Sequence, residues 1–443
     1  IDNSAGVSMS DHEVNIKILL GQAIATGALG AHEREPLLAQ LKDDVAVLVL
    51  RDNYLQGQAL SVAEAKGPAA INRQVLLIRE LEKTGRLDRA LEFLPDDEEI
   101  AARAAAHRGL TRPELAVLLA YSKMSLDREL LQSDLPDAPE LVAELLTYFP
   151  SALRERFPAQ IATHPLHREI TATLLTNDLV NRAGITFINE LQTRSGRPAP
   201  EIARAYRIVR EAFALPPLWA EIEALDNKVA VALQSEMLID IAGVVEHAAA
   251  WLLRSERLGM AAETSRFTPA VAGLAANLAD LLPASERAVM VSRGERLAAA
   301  GVPPPLTARI AAVIFLTTAF EIGDLAGRAG QPVERAARTF YGVGASFALD
   351  ELRAAARRLP TNTLWQKAAV ETLIDDSYAL QAEVAERMLQ SAGGAEAPIV
   401  AWTTVHAAAL APVEGLAREL RTAANPDLAM LFVVSRQLRQ ALG

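Results

Sequence analysis

Apolar residues recur every three or four positions along most of the chain, which is the spacing of a helix that buries one face. Even the continuous apolar run at residues 45–50 keeps this spacing with its neighbours, so we predict a helix there rather than a strand. The residues that set this spacing are Leu37, Leu38, Leu41, Val45 and Leu48. Alternating runs bounded by tight turns, which indicate strands, are nearly absent. The pattern predicts an all-α protein built as a multi-helix bundle.

Helix starts and breaks are also visible in the sequence. Thr111, Pro113 and Glu114 form a capping box with proline in the first turn, so we predict a helix start at that point. Segments rich in proline, glycine and small polar residues predict breaks. They fall at residues 133–139, 195–200, 301–305 and 391–398.

The composition of the chain argues against several classes of partner and site. The chain has 443 residues, a net charge of −11 and no cysteine. The negative charge argues against nucleic acid and anionic membrane surfaces as partners. The missing cysteines exclude thiolate metal sites and cysteine nucleophiles, and they fit a cytoplasmic protein. Apolar runs of about a dozen residues are shorter than the roughly 20 that a membrane-spanning helix needs.

The first twenty residues, IDNSAGVSMSDHEVNIKILL, hold the most informative pattern. Small residues from Asn3 to Gly6 predict a tight turn, and Ser10 with Glu13 fits the S-x-x-E spacing of a helix N-cap. The chain opens on Ile1 in a run typical of a strand end, so we expect a piece of a longer protein. One interpretation is simply a well-capped helix. The alternative is a turn where a carboxylate or phosphate meets helix N–H groups.

Two further segments carry possible chemistry. His164 and His167 flank Pro165, which places His164 before a helix and His167 in its first turn; a solvated helix entry is favoured over a metal site. Asn177 and Asn181 share one helical face, which is suited to binding a partner helix or to simple solvation. We expect no metal site in this chain.

Several segments, in order, resemble the bacterial large-subunit NAD-specific glutamate dehydrogenases. The opening stretch is similar to the end of that family's nucleotide-binding domain, and later segments are similar to its C-terminal helical region through about residue 255. These later segments are RDNY (51–54), YSKM (121–124), HPLHREI (164–170), NDLVNRAG (177–184) and LDNKVAVALQSEM (225–237).

The resemblance implies roles for two residues. Smaller glutamate dehydrogenases carry Asn-Ala-Gly-Gly-Val-Thr-Val-Ser where this chain has residues 3–10, with Ser4-Ala5-Gly6 replacing Ala-Gly-Gly. By this resemblance Asn3 lies near the NAD cofactor and Ser10 near the side-chain carboxylate of glutamate. The family's catalytic lysines, catalytic aspartate and glycine-rich turn match nothing here, so we expect no catalytic residue in this chain.

The implied protein is a cytoplasmic, homo-oligomeric enzyme that acts on L-glutamate and 2-oxoglutarate. We predict that residues 1–30 end the Rossmann-type catalytic domain with its terminal turn and helix. Residues 31–195 would form one helical lobe and residues 196–443 a second lobe. The helical region would brace the cofactor cleft, limit its opening or form subunit contacts. The rival interpretations are a non-catalytic helical scaffold or regulatory module, and a helical domain that binds a ligand between its lobes.

Overall fold

The structure is a computed structural model that describes residues 2–254, 259–359, 364–391, 398–405 and most of 415–442. Every regular element in these residues is a helix, which confirms the predicted all-α class. The predicted helix at residues 45–50 is confirmed as part of a longer helix, Lys42–Lys66. The chain is rich in alanine, leucine, glutamate and arginine, which are strong helix formers.

The first fourteen α-helices lie between residues 2 and 252. They are α1 (Asp2–Ala25), α2 (Arg34–Gln40), α3 (Lys42–Lys66), α4 (Ile71–Lys83), α5 (Asp97–Ala105), α6 (Arg112–Leu131), α7 (Val142–Thr147), α8 (Ser151–Arg156), α9 (Pro158–Ala162), α10 (His167–Ala183), α11 (Phe187–Ser195), α12 (Ala199–Ala212), α13 (Leu215–Glu223) and α14 (Val231–Leu252). Short 3-10 helices connect several of them, at Ala31–Glu33, Gly67–Ala70, Leu135–Asp137 and Pro139–Leu141.

The remaining helices follow from residue 260 onward. They are α15 (Met260–Leu281), α16 (Ala284–Ala299), α17 (Pro304–Val313), α18 (Ala319–Ala329), α19 (Val333–Ser346), α20 (Leu349–Arg358), α21 (Leu364–Ser391), α22 (Pro398–Val405) and α23 (Leu428–Leu442), with a 3-10 turn at Ile314–Leu316. The predicted breaks at 133–139, 195–200 and 301–305 separate helices as expected. In the fourth, residues 392–397 lie outside the described part of the chain.

The chain divides into two compact units. The first comprises Ile1–Arg210 and Ile222–Glu263, and the second comprises Glu211–Glu221 and Thr264–Gly443. This grouping reflects packing within the chain. The predicted domain boundaries after residues 30 and 195 concern the organisation of a longer enzyme, and they stay predictions.

Helix α1 is a core element of the first unit. Helical spacing predicts a buried stripe of Ile16, Leu19, Leu20, Ala23 and Ile24 on this helix; the first four side chains are fully buried, and Ile24 is partly buried. The stripe packs in one cluster with side chains from α2 to α3 and from the segment 145–170. These partners are Leu41, Val45, Val49, Leu145, Tyr148, Phe149, Leu153, Phe157, Ile161 and Ile170. Residues far apart in sequence therefore hold α1 along most of its length.

Local signals account for other parts of the first unit. The capping box at Thr111 is confirmed, because Glu114 accepts the Thr111 backbone N–H at 2.6 Å and α6 begins at the next residue. The loop before it packs closely on the end of α3. A Cβ added to Gly109 would lie 2.9 Å from the Gly67 carbonyl carbon, so this contact requires glycine.

The second unit has its own aromatic core. Phe267 of α15 stacks on Phe320 of α18, with ring centroids 4.3 Å apart. Gly323, one turn along α18, allows this approach, because a Cβ there would lie 3.0 Å from the Cβ of Ala270. Among the described helices, none is by itself long and apolar enough to cross a membrane. Two bent pairs in the region 260–329 meet those criteria by length and composition alone.

Candidate functional site

The structure has a helix where the sequence predicts a tight turn, at the start of α1. Residues Asp2–Ala25 form one continuous α-helix. The predicted tight turn at Asn3–Gly6, the strand-to-helix transition and the N-cap role of Ser10 are therefore wrong. No proline interrupts residues 2–10, and a single Gly6 costs a helix only about 1 kcal/mol. Once the buried stripe holds the rest of α1, extending the helix by two turns is easier than starting a new one at Ser10.

Ser10 lies on the exposed side of α1. Val7 and Val14 flank it at helical spacing and are 69% and 51% exposed. Position 3 is two turns before position 10, so the backbone places both predicted site positions along the same side of the helix. Because Ser10 lies within the helix, its backbone N–H bonds an earlier carbonyl. Only its hydroxyl is available to a ligand.

A polar network centred on Tyr148, directly after α7, contacts α1 away from Ser10; Tyr148 and Asn15 are buried, and Asp11 lies at its exposed edge. The Tyr148 hydroxyl donates to the Asp11 carboxylate at 2.7 Å and accepts from the Asn15 amide at 2.8 Å. Burial and the hydrogen bond to Asp11 raise the pKa of Tyr148 well above its usual range. The phenol therefore stays protonated and keeps donating to Asp11.

His12 stacks on the same tyrosine. The two ring centroids lie 4.1 Å apart and the ring planes differ by 18°. His12 is 5% exposed, and its Nδ1 has no hydrogen-bond partner among the described residues. Burial lowers the pKa of His12 despite the nearby Asp11 charge. A neutral imidazole therefore lies against the ring of Tyr148.

His164 adds a second anchor on α1. It is fully buried, and its Nε2 lies 3.1 Å from the backbone carbonyl oxygen of Asn15. The Leu166 N–H donates to His164 Nδ1 at 3.1 Å, so Nδ1 is the acceptor and Nε2–H is the donor to Asn15. Burial lowers the pKa of His164, which favours this neutral form. The predicted position before the helix is confirmed, and the predicted solvated environment is wrong.

Two charged residues from neighbouring helices lie near this network. Asp52 of α3 is close enough for its charge to raise the pKa of Tyr148 further. Burial also raises the pKa of Asp52, although Lys123 of α6 opposes that shift. The Lys123 Nζ is buried without a hydrogen-bond partner among the described residues, and burial lowers its pKa to about 8. Clustered shifts of this kind are typical of functional sites, although structural networks also produce them.

The segment 177–184 serves packing within the first unit. Arg182 pairs with Glu223 at 2.7 Å, and both side chains are less than 10% exposed. Asp178 accepts from the Tyr206 hydroxyl at 2.8 Å. Asn181 is buried on the same helix. On the face shared by Asn177 and Asn181, Asn177 is half-buried and Asn181 is buried, so simple solvation does not apply at Asn181.

No three histidine, aspartate or glutamate side chains converge on a possible metal position within the described part of the chain. His167 directs Nδ1 to the His164 carbonyl at 2.9 Å rather than toward the His164 ring. A cleft of about 140 Å³ lies between α4, α6 and α11, and it does not include Ser10. Of its lining side chains, Arg86 and Gln192 each donate a hydrogen bond to the Glu129 carboxylate.

Sequence reasoning missed the residues that hold α1 in place. Tyr148 and Asp11 are separated by 137 positions, and no local pattern pairs them. For Asp52 and Lys123, the two charged residues near the network, the sequence did carry a weak signal. Asp52 and Lys123 belong to the RDNY and YSKM segments, two of those that carry the family resemblance.

Comparison with known protein families agrees with this resemblance. Residues 107–440 match the family described as glutamate dehydrogenase, C-terminal. Residues 1–63 match the family described as bacterial NAD-glutamate dehydrogenase, catalytic domain. Helix α1 therefore lies in the catalytic-domain match, whereas Tyr148 and His164 lie in the C-terminal match. The C-terminal match also continues well past residue 255, where the sequence resemblance ended.

Individual relatives are similar along nearly the whole chain. The NAD-specific glutamate dehydrogenase of Pseudomonas aeruginosa is 38% identical over 443 residues, which is 99% of this chain and 27% of that protein. That of Halomonas elongata is 40% identical over 396 residues, covering 89% of this chain and 24% of that protein. That of Mycobacterium tuberculosis is 33% identical over 445 residues, with coverages of 99% and 27%.

The all-helical fold and these matches define a class, the helical region that adjoins the catalytic domain in large glutamate dehydrogenases. This chain belongs to the family of glutamate dehydrogenase C-terminal regions. It spans about a quarter of the length of the relatives that it matches.

Proposed function

We propose that this chain is the C-terminal helical region of an enzyme that oxidises L-glutamate. In this reaction glutamate, NAD and water give 2-oxoglutarate, ammonia and NADH. The observation that carries the proposal is the 38% identity to an NAD-specific glutamate dehydrogenase across 99% of the chain. The match to the catalytic-domain family at residues 1–63 adds support, because α1 and most of α3 fall within the matched residues.

In this proposal Ser10 binds the side-chain carboxylate of glutamate through its hydroxyl. The exposed position of Ser10 on α1 fits this role, since the hydroxyl is open to a ligand that approaches from outside the chain. Val7 and Val14 supply apolar surface on either side, suited to the methylene groups of such a substrate. A hydrogen bond between a hydroxyl and a carboxylate is stronger than one between neutral groups.

Asn3 lies near the NAD cofactor in this proposal, two turns before Ser10 on α1. When bound, NAD supplies the hydride acceptor. The residues of this chain bind and orient the substrate at the rim of the cleft and exclude water from it. No residue here is proposed to transfer a proton or to act as a nucleophile. We also propose a homo-oligomeric enzyme in the cytoplasm, a compartment that a chain without cysteine fits.

The test compares two proteins. The whole enzyme that contains this chain is assayed for glutamate-dependent formation of NADH, and the 443-residue chain is assayed alone. The proposal predicts activity in the whole enzyme and none in the chain alone. A whole protein without glutamate-dependent NAD reduction would instead favour the non-catalytic scaffold. Activity in the isolated chain would show that it contains catalytic residues which we have not identified.

A further inference from the structure

Four contacts hold one part of helix α1, and all of them come from Tyr148 and His164. The Tyr148 hydroxyl bridges Asp11 and Asn15, and its ring stacks on His12. The His164 ring donates to the backbone carbonyl of Asn15. These contacts fall within a single turn of α1, residues 11–15, that directly follows Ser10.

The contacts specify both the rotation and the axial position of α1. Apolar burial is not directional, so a small sliding movement can exchange one apolar contact for another. Hydrogen bonds between buried groups tolerate less, since a shift leaves a buried donor or acceptor unpaired. The Asn15–Tyr148 and His164–Asn15 hydrogen bonds are buried, so water cannot readily replace them, whereas the Asp11 carboxylate lies at the exposed edge of the network. One turn of α-helix rises only about 5.4 Å, which makes the coupling to Ser10 nearly rigid.

We propose that Tyr148 is a positioning residue, which holds α1 so that the Ser10 hydroxyl meets the substrate carboxylate, and that His164 supports it. The inference rests on the proposed function of Ser10. Of the three roles considered for the helical region, it supports bracing of the cleft. The network centred on Tyr148 braces the substrate-binding helix from within the chain.

The contacts of Tyr148 and His164 with α1 join two parts of the chain that match different families. Helix α1 belongs to the residues that match the catalytic domain, and Tyr148 and His164 belong to those that match the C-terminal family. In the whole enzyme the helical region therefore determines where one wall of the substrate site lies. In this proposal a change at Tyr148 reaches the substrate through α1.

The main variant is Tyr148→Phe in the whole enzyme, because it removes the hydroxyl and keeps the stacked ring. The matched control is Tyr206→Phe. Tyr206 is also fully buried and donates to a carboxylate, that of Asp178, at 2.8 Å, but this hydrogen bond does not involve α1. The measurements are the KM for glutamate, the KM for NAD, kcat and the melting temperature. Asp11→Asn, which retains the shape of the acceptor, is a second probe of the same hydrogen bond.

We expect Tyr148→Phe to raise the KM for glutamate about threefold to tenfold, with a smaller change in the KM for NAD. Tyr206→Phe should lower the melting temperature by a similar amount and leave both KM values unchanged. Asp11→Asn should raise the KM for glutamate in the same direction as Tyr148→Phe. An equal effect of Tyr148→Phe and Tyr206→Phe on the KM for glutamate would overturn the inference.

The double variant Ser10→Ala/Tyr148→Phe separates positioning from general destabilisation. If Tyr148 acts through Ser10, Tyr148→Phe has no further effect on the KM for glutamate once the Ser10 hydroxyl is absent. Independent effects would multiply, and that outcome contradicts the inference. If Ser10→Ala raises the KM and Tyr148→Phe does not, the inference alone fails. If Ser10→Ala has no effect, the proposed substrate contact fails and the inference fails with it.

Discussion

The ring of Tyr148 stacks on the ring of His12 with a centroid separation of 4.1 Å, and the two residues belong to parts of the chain with different family matches. The helical region is therefore packed against the catalytic-domain segment through a specific aromatic and hydrogen-bonded contact. This arrangement gives the C-terminal helices a direct structural link to the proposed substrate site.

The continuous helix at the start of α1 predicts the effect of replacing Gly6 with alanine. A Cβ at Gly6 meets no atom within 4 Å. Alanine is a better helix former than glycine, by about 1 kcal/mol in a helix interior. Gly6→Ala should therefore slow amide hydrogen exchange in the first three turns of α1, as measured by mass spectrometry on the chain.

The turn that the sequence predicted would respond in the opposite way. A tight turn that uses the conformational freedom of glycine is strained by alanine, and exchange would then become faster. Gly21→Ala is the matched control, because Gly21 lies farther along the same helix and its Cβ would also be free of contacts. Its effect should be confined to the amides near residue 21.

Lys123 predicts a pH dependence of stability. Burial lowers the pKa of Lys123 in the folded chain from 10.5 to about 8. Between these two values the unfolded chain binds a proton that the folded chain has released, so the free energy of unfolding rises with pH. Below about pH 8 Lys123 is protonated in both the folded and the unfolded chain. The free energy of unfolding is then lowered by the full cost of burying the charged ammonium. Lys123→Met should remove this rise, as measured by urea unfolding at a series of pH values.

Lys17→Met is the control for Lys123→Met. Lys17 is an exposed lysine that pairs with Glu13 at 2.6 Å on the surface of α1. Its replacement should leave the rise of stability between pH 8 and 10.5 unchanged. An unchanged rise in Lys123→Met would show that the lysine is solvated in solution.

The close contact between Gly109 and Gly67 predicts a loss of stability on a minimal substitution. The Cβ of Gly109→Ala would approach the Gly67 carbonyl carbon to 2.9 Å, and backbone atoms there cannot move aside easily. We expect a lower free energy of unfolding, by about 1–3 kcal/mol. Gly57→Ala is the control, because Gly57 lies inside α3 with nothing within 4 Å of its Cβ. It should be neutral or stabilising by up to about 1 kcal/mol.

Helices were predicted correctly from the sequence where residues close together in the chain determine where the helix starts or which side it buries. The capping box at Thr111 starts α6, and the apolar spacing through Val45 places α3. The same S-x-x-E spacing at Ser10 did not start a helix. The two cases differ in what comes before them, because α1 already contains residues 2–9 whereas a loop precedes Thr111.

The network beneath Ser10 could not be predicted from the sequence. His164 and Asn15 are 149 positions apart, and their contact depends on how α1 packs against the segment 145–170. A histidine beside a proline has the same local pattern whether it is solvated or fully buried. Helical spacing shows that α1 has a buried side, but it does not identify the polar groups that complete that side.

The most direct test of the account is the kinetic effect of removing the Ser10 hydroxyl in the whole enzyme. Ser8→Ala is the matched control, because Ser8 lies on the opposite side of the same helix. We predict that Ser10→Ala raises the KM for glutamate about tenfold, which corresponds to roughly 1.4 kcal/mol of lost binding free energy, and changes the KM for NAD far less. Ser8→Ala should leave both constants unchanged. Equal KM values for glutamate in Ser10→Ala, Ser8→Ala and the unmodified enzyme would contradict the placement of α1 at the substrate.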